Sequence, residues 1–207
     1  MAGSQRKNNV FINCPFDEAY LPLLRPLLFC VLYLGLTPRI ALERQDSGEQ
    51  RIQKLLQLIR ESAFSIHDIS RLQATEPGEF YRLNMPFELG LDIGSRTFGG
   101  GYLAEKACLM LEAKPFRYQA AISDMAGADI AVHKNEPKEV VRVVRNWLRS
   151  QKFPKADPPT KIWNRFNDFM ADNYDRLKER DFSDEDIELL TVNELIDCMT
   201  EWIDETL

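Results

Sequence analysis

Val10-Phe11-Ile12-Asn13-Cys14-Pro15-Phe16-Asp17 passes from three apolar residues to a polar one and then into a proline-containing loop. An apolar run of that length, ended by Asn13, reads as a buried first strand. Downstream, a helix is expected over Leu21 to Leu34, with Pro22 and Pro26 tolerated in its first turn and Gly35 stopping it. Thr37 to Leu42 reads as a second strand. In the polar stretch that follows, Ser47 is expected to cap a helix beginning near Gly48, which carries Ile52, Leu55, Leu56 and Ile59 at helical spacing.

The pattern then repeats. Ala63 to Ile69 is a third strand. After a loop from Arg71 to Leu83, Asn84 is placed as the N-cap of a helix that carries Glu88 and ends at Phe98-Gly99-Gly100-Gly101. Lys106 to Leu111 is a fourth strand, Pro115 to Met125 a helix, Asp129 to His133 a fifth strand and Pro137 to Ser150 a helix. Alternation of this kind predicts an α/β fold: a parallel five-stranded sheet with helices on both faces, in the flavodoxin-like order 2-1-3-4-5. Ligands then bind outside the carboxyl ends of strands 1 and 3, where the strand order reverses.

Pro154 to Pro159 marks a change of composition. It divides the chain into an α/β domain over 1–152 and a helical extension over 153–207, with amphipathic helices expected over Thr160–Lys178 and Asp184–Thr206. Trp163, Phe166, Phe169, Met170 and Leu177 stripe the first helix; Leu189, Leu195, Ile196, Met199, Trp202 and Ile203 stripe the second. These are packing surfaces, against the sheet domain, a second copy of the chain or a partner protein.

The bulk properties exclude several classes. The 207 residues are 44% hydrophobic and 28% charged, as in ordinary globular proteins. No run approaches the roughly 18 apolar residues that span a bilayer, and the polar N-terminus carries no apolar signal-peptide core. Net charge is -6. The acidic excess lies in residues 151–207, which argues against nucleic-acid binding there. Four cysteines without CxxC spacing read as free thiols of a cytoplasmic protein. With two histidines in the chain, no His-based metal centre and no cofactor is expected. Neither GxGxxG nor GxxxxGK[ST] occurs.

The crevice at the strand ends collects the chemistry-bearing residues. Strand 1 brings Asn13 and the loop Cys14, Pro15, Phe16 and Asp17. Strand 2 brings Glu43, Arg44, Asp46 and Ser47; strand 3 brings Asp68 and Ser70; the next helix brings Asn84 and Glu88. Each also has a structural role open to it: Glu88 as a complement to the helix dipole, Asp68 as a cap, Asp46 and Ser47 as turn formers, Phe16 as a core plug. Asp92, one turn beyond Glu88, is a candidate to adjust its pKa. His67 reads as a structural histidine, and His133 is placed away from the crevice.

The combination of F-I-N-C-P-F-D (11–17), I-H-D-I-S (66–70) and N-M-P-F-E-L-G (84–90) resembles the nucleoside 2-deoxyribosyltransferase and TIR-like superfamily over about 150 residues. In deoxyribosyltransferases a Gly-Pro-Phe-like loop follows strand 1, an Asp ends strand 3, and a nucleophilic Glu sits in G-T-A-x-E-[IL]-G. Glu88-Leu89-Gly90 matches the end of that motif; Asn84-Met85-Pro86 departs from its start, and Cys14 replaces the loop glycine. The resemblance implies an N-glycosidic enzyme. In its TIR-like form it hydrolyses or cyclises NAD at the nicotinamide–ribose bond and serves bacterial immunity; in its other form it acts on nucleosides. A nucleotide-sensing or scaffold module would use the same crevice without catalysis. On this reading Glu88 and Asp68 are catalytic, with Asn13, Cys14, Pro15, Phe16, Arg44, Asp46, Ser47, Ser70 and Asn84 around the ligand. The chemistry is coherent, since a carboxylate stabilises the oxocarbenium-like transition state at a ribosyl carbon. Nicotinamide leaves NAD as a neutral molecule without protonation, whereas a nucleoside base needs a general acid, for which Asp68 is the candidate.

Overall fold

The computed structural model describes residues 6–43, 46–74, 82–151 and 156–206. Arg44 lies outside them. Asn9–Asn13 (β1) is buried along its whole length, because it occupies the middle of the sheet and is covered on both faces. Around it, Thr37–Ile40 (β2), Phe64–Asp68 (β3), Ala107–Glu112 (β4) and Ile130–Val132 (β5) form one five-stranded sheet in the order β2-β1-β3-β4-β5. Every pairing is parallel, with Asn13 opposite His67 and Asp68 opposite Leu111. This is the α/β architecture and strand order that the alternation predicts, with crossovers too long for hairpins and helices on both faces.

One face is covered by Leu21–Tyr33 (α1) and Pro137–Ser150 (α4), the other by Arg51–Arg60 (α2) and Asn84–Phe98 (α3). Pro22 lies in the first turn of α1, as expected, but Pro26 is inside the helix. It has no N–H to bond the carbonyl four residues back.

Several boundaries differ from the sequence reading. α2 begins at Arg51 with Gln50 before it, so Ser47 is not its cap; Asp46 Oδ1 instead accepts from the Gly48 N–H at 2.8 Å, in a turn. Leu83 holds the N-cap position of α3, and Asn84 is its first residue. The helix expected over 115–125 is two short 3-10 turns, Arg117–Ala120 and Ser123–Met125, preceded by Phe116 in the left-handed region at φ 62°. That backbone conformation interrupts any continuous helix through the segment.

Beyond the sheet, Pro159–Glu179 (α5), Asp184–Glu188 (α6) and Val192–Thr206 (α7) run to the end of the described chain. The second tail helix is therefore broken. Thr191 explains the break: its N–H and hydroxyl donate to Glu194, and its Oγ1 accepts from the Glu194 N–H, so a new helix is capped at both partners. The tail stripes are covered within the chain except at Leu189, which is exposed. Phe166, Phe169, Leu195, Met199 and Trp202 join the core formed by α1, α4 and the sheet, and Phe29 of α1 stacks on Phe169 at 5.7 Å. The Trp202 indole N–H is satisfied by Asp172 Oδ2 at 2.8 Å. Among the described residues, no helix is long and apolar enough to cross a membrane.

Candidate active site

Side chains alternate along a strand, and β3 uses both directions for polar residues. Ser65 and His67 face α2 and α3; Ile66 and Asp68 face α1 and α4. Two buried polar clusters result, one on each face of the sheet.

On the α1 side, Asp68 is fully buried. Its Oδ1 accepts from the Ser70 N–H at 2.8 Å and its Oδ2 from the Tyr20 hydroxyl. His133, just past β5, brings Nε2 to 3.2 Å from the same Oδ2, off the axis of a good hydrogen bond. Lys134 and Asn135 both adopt φ 58°, and that turn lets the Asn135 N–H donate to His133 Nδ1 at 3.1 Å. The ring proton therefore sits on Nε2, toward Asp68. Burial alone would raise the Asp68 pKa; His133, Ser70 and Tyr20 more than offset it and hold the carboxyl below its ordinary value. Placing His133 far from the crevice is thus corrected: parallel register carries the end of β5 to the end of β3 across one intervening strand.

On the α3 side, Asn13 Nδ2 lies 2.9 Å from the Met85 carbonyl and 3.0 Å from His67 Nδ1. An amide nitrogen only donates, so His67 carries its proton on Nε2, which donates to Asp92 Oδ2 at 3.1 Å. Ser65 donates to the same oxygen, and the Lys106 ammonium sits 2.6 Å from Asp92 Oδ1 while also donating to the Ile59 carbonyl at 2.6 Å. Against the cost of burial, His67 first and Lys106 second hold Asp92 well below the usual carboxylate range. Asp92 does not adjust the pKa of Glu88: the charge that acts on Glu88 is Arg51. His67, Asp92 and Cys108 place potential metal-ligand atoms within 4.8 Å of one another. The donor set does not suit an ion. His67 Nε2 is protonated, burial pushes the Cys108 thiol up to about 11, and Lys106 already supplies the positive charge.

Between these clusters, at the carboxyl ends of β1 and β3, opens a cleft of about 250 Å³ lined by Cys14, Phe16, Asp17, Arg51, Arg82, Asn84 and Met85. Asp17 pairs with Arg82 across it. Glu88 stands one turn into α3, just behind the lining, and is 3% exposed. Helical side chains lean toward the N-terminus, so its carboxyl is aimed at the first turn, where Asn84 and Met85 border the cleft. Its nearest cation among the described residues is Arg51, with a guanidinium nitrogen 3.9 Å from Oε1. Burial pushes its pKa from 4.5 up to about 7, and Arg51 lowers it only in part.

The other expected residues divide. Phe16 and Asn84 border the cleft, as does Cys14, whose thiol is buried and stays protonated. Asn13, 1% exposed, serves as a tie between β1, β3 and α3. Pro15 is buried, and Ser70 is 5% exposed with its hydroxyl unpartnered among the described residues. Asp46 and Ser47 are exposed and border neither this cleft nor its neighbour. Sequence reasoning missed Arg51, Arg82, Tyr20 and His133. The histidine carried a signal, as a polar residue closing an apolar strand just as Asp68 does; the others carried none.

The fold and this cleft define a flavodoxin-like α/β protein with a buried acid at its switch point. A comparison of the chain with protein-family models, with curated proteins and with solved structures finds no match in any of the three.

Proposed function

We propose that this protein is an N-glycosidic enzyme that cleaves the nicotinamide–ribose bond of NAD, with Glu88 as its catalytic carboxylate. The observation that carries the reading is the environment of Glu88: a buried carboxyl at the carboxyl ends of β1 and β3, with Arg51 at 3.9 Å as its partner among the described residues, and poised near neutrality. Uncompensated buried acids are costly and are retained where chemistry needs them.

In the proposed step the cationic nicotinamide ribosyl group replaces Arg51 as the counter-charge of Glu88. The C1′–N bond breaks, and its electron pair leaves on neutral nicotinamide. Ionised Glu88 stabilises the positive charge developing at C1′. Water then adds to C1′ and gives up a proton, which a carboxylate with a pKa of about 7 is suited to accept. Arg51, freed from Glu88 by the cationic substrate, can turn to phosphate oxygens, and Arg82 can do so by exchanging its pairing with Asp17. Asp68 is a positioning residue in this scheme, since it is buried and ionised and has no proton to give. That favours NAD over nucleosides, whose bases must be protonated to leave.

The test is release of nicotinamide from NAD by the full chain, measured by chromatography beside a nucleoside panel. Glu88→Gln should lower the rate by about 10²–10³. In the wild type, kcat/KM should rise with pH through about 7 as Glu88 ionises. Equal rates for wild type and Glu88→Gln would remove Glu88 from the mechanism. Release of bases from nucleosides but not of nicotinamide from NAD would favour the transferase reading.

A further inference from the structure

The cleft in front of Glu88 is too small for a whole dinucleotide. Its volume of about 250 Å³ lies under the roughly 300–1,000 Å³ usual for pockets that enclose a drug-sized ligand. A second cavity, of about 570 Å³, begins on the other side of Phe16, which borders both. Its walls come from places distant in sequence: Phe16 and Leu42 just past β1 and β2, Leu21 and Pro22 in the first turn of α1, and the stretch from Glu188 to Asn193 that spans the end of α6, the linker and the start of α7. The linker is pinned to the sheet, with Asn193 Nδ2 3.4 Å from both the Leu42 and the Glu43 carbonyls. Those contacts are long, and among the described residues both engage the nitrogen of the amide. The cavity thus joins apolar side chains, an aromatic ring and a side-chain amide, with Glu18, Arg25 and Glu188 as the charged residues of its lining. That is the chemistry that recognises a purine with an exocyclic amino group: stacking on the ring and an amide meeting the amino edge.

We propose that the C-terminal tail completes the ligand site, and that the cavity between Phe16 and the α6–α7 linker binds the adenine of an adenine nucleotide. The inference deepens the reading of Glu88 and rests on it for the identity of the scissile half. The base sits against Leu189, Leu190 and Val192, and Phe16 divides it from the ribosyl cleft. The tail is then a specificity element as well as a packing one.

The probe is AMP, titrated calorimetrically into the full chain, with IMP as the analogue that lacks the amino group. Wild type should bind AMP at least tenfold more tightly than IMP. Leu189→Trp fills the cavity from a position that is 68% exposed and tolerant of substitution, and should weaken AMP at least tenfold. Asn193→Ala should reduce the preference for AMP over IMP, an effect that mere loosening of the linker would not produce. The proposal is overturned if wild type does not bind AMP, if AMP and IMP bind alike, or if Leu189→Trp binds AMP as wild type does. Nicotinamide release is read separately. AMP binding blocked by Leu189→Trp without nicotinamide release would sustain the adenine cavity and sink the Glu88 reading; nicotinamide release without AMP binding would do the reverse.

Discussion

Glu88 and Asp92 lie one turn apart on α3 and are almost equally buried, at 3% and 2% exposure, yet they are in opposite electrostatic states. Asp92 is held low by His67 and then by Lys106 at 2.6 Å, and it also accepts a hydrogen bond from Ser65. Glu88 has, among the described residues, a single cation at 3.9 Å on a half-exposed arginine and is pushed up to about 7. Burial is common to both, so the partners account for the difference. A carboxyl supplied with a buried lysine, a histidine and a serine fixes structure: it ties α3 to β3 and β4. A carboxyl left without them keeps its proton available near neutral pH. Fold stability and the proposed chemistry therefore occupy successive turns of one helix.

The largest effect expected is on the satisfied side. Lys106→Met leaves Asp92 as a buried, under-compensated charge and should cost about 3–5 kcal/mol in urea unfolding. A cost near zero would mean that the Asp92–Lys106 pair is not what separates the two carboxyls.

On the unsatisfied side the sign reverses. The folded pKa of Glu88, about 7, lies above its ordinary 4.5, so the folded chain holds this proton more tightly than the unfolded one. The corresponding stability is fully present below pH 4.5, declines as pH rises, and is lost once pH passes 7. Glu88→Gln should therefore stabilise the protein by on the order of 2 kcal/mol at pH 8 and by almost nothing at pH 4. Thermal unfolding at the two pH values checks this, and an equal effect at both would contradict the account.

The smallest effect belongs to Arg51. Arg51→Ala removes the one influence that lowers the Glu88 pKa, so the rising limb of kcat/KM should move to higher pH. The shift is small because a half-exposed guanidinium is screened by solvent.

The sheet was legible because its central strands are apolar runs bounded by turn residues and because strand and helical periods alternate; Val10 to Asn13 and Ala63 to Ile69 needed nothing else. Glu88 was legible from its local motif. Its environment was not, since Arg51 lies on another helix and only tertiary packing brings the two together. The same holds for His133, whose distance from Asp68 depends on strand register. The break in the tail was readable and was missed: Thr191-Val192-Asn193-Glu194 is a capping-box spacing inside a stretch that otherwise keeps helical period. Phe116 at φ 62° carries no signal of that kind, because a bulky residue is seldom found there.

The contrast between the two carboxyls is tested most directly by a carbon-13 NMR titration of the Glu and Asp side-chain carboxyls in the full chain, with Glu88→Gln and Asp92→Asn to assign the two resonances. The account predicts that the Glu88 signal titrates near pH 7, while the Asp92 signal stays that of an ionised carboxylate down to the lowest pH at which the protein remains folded. A Glu88 signal that titrates near 4.5, as an ordinary glutamate does, would contradict it.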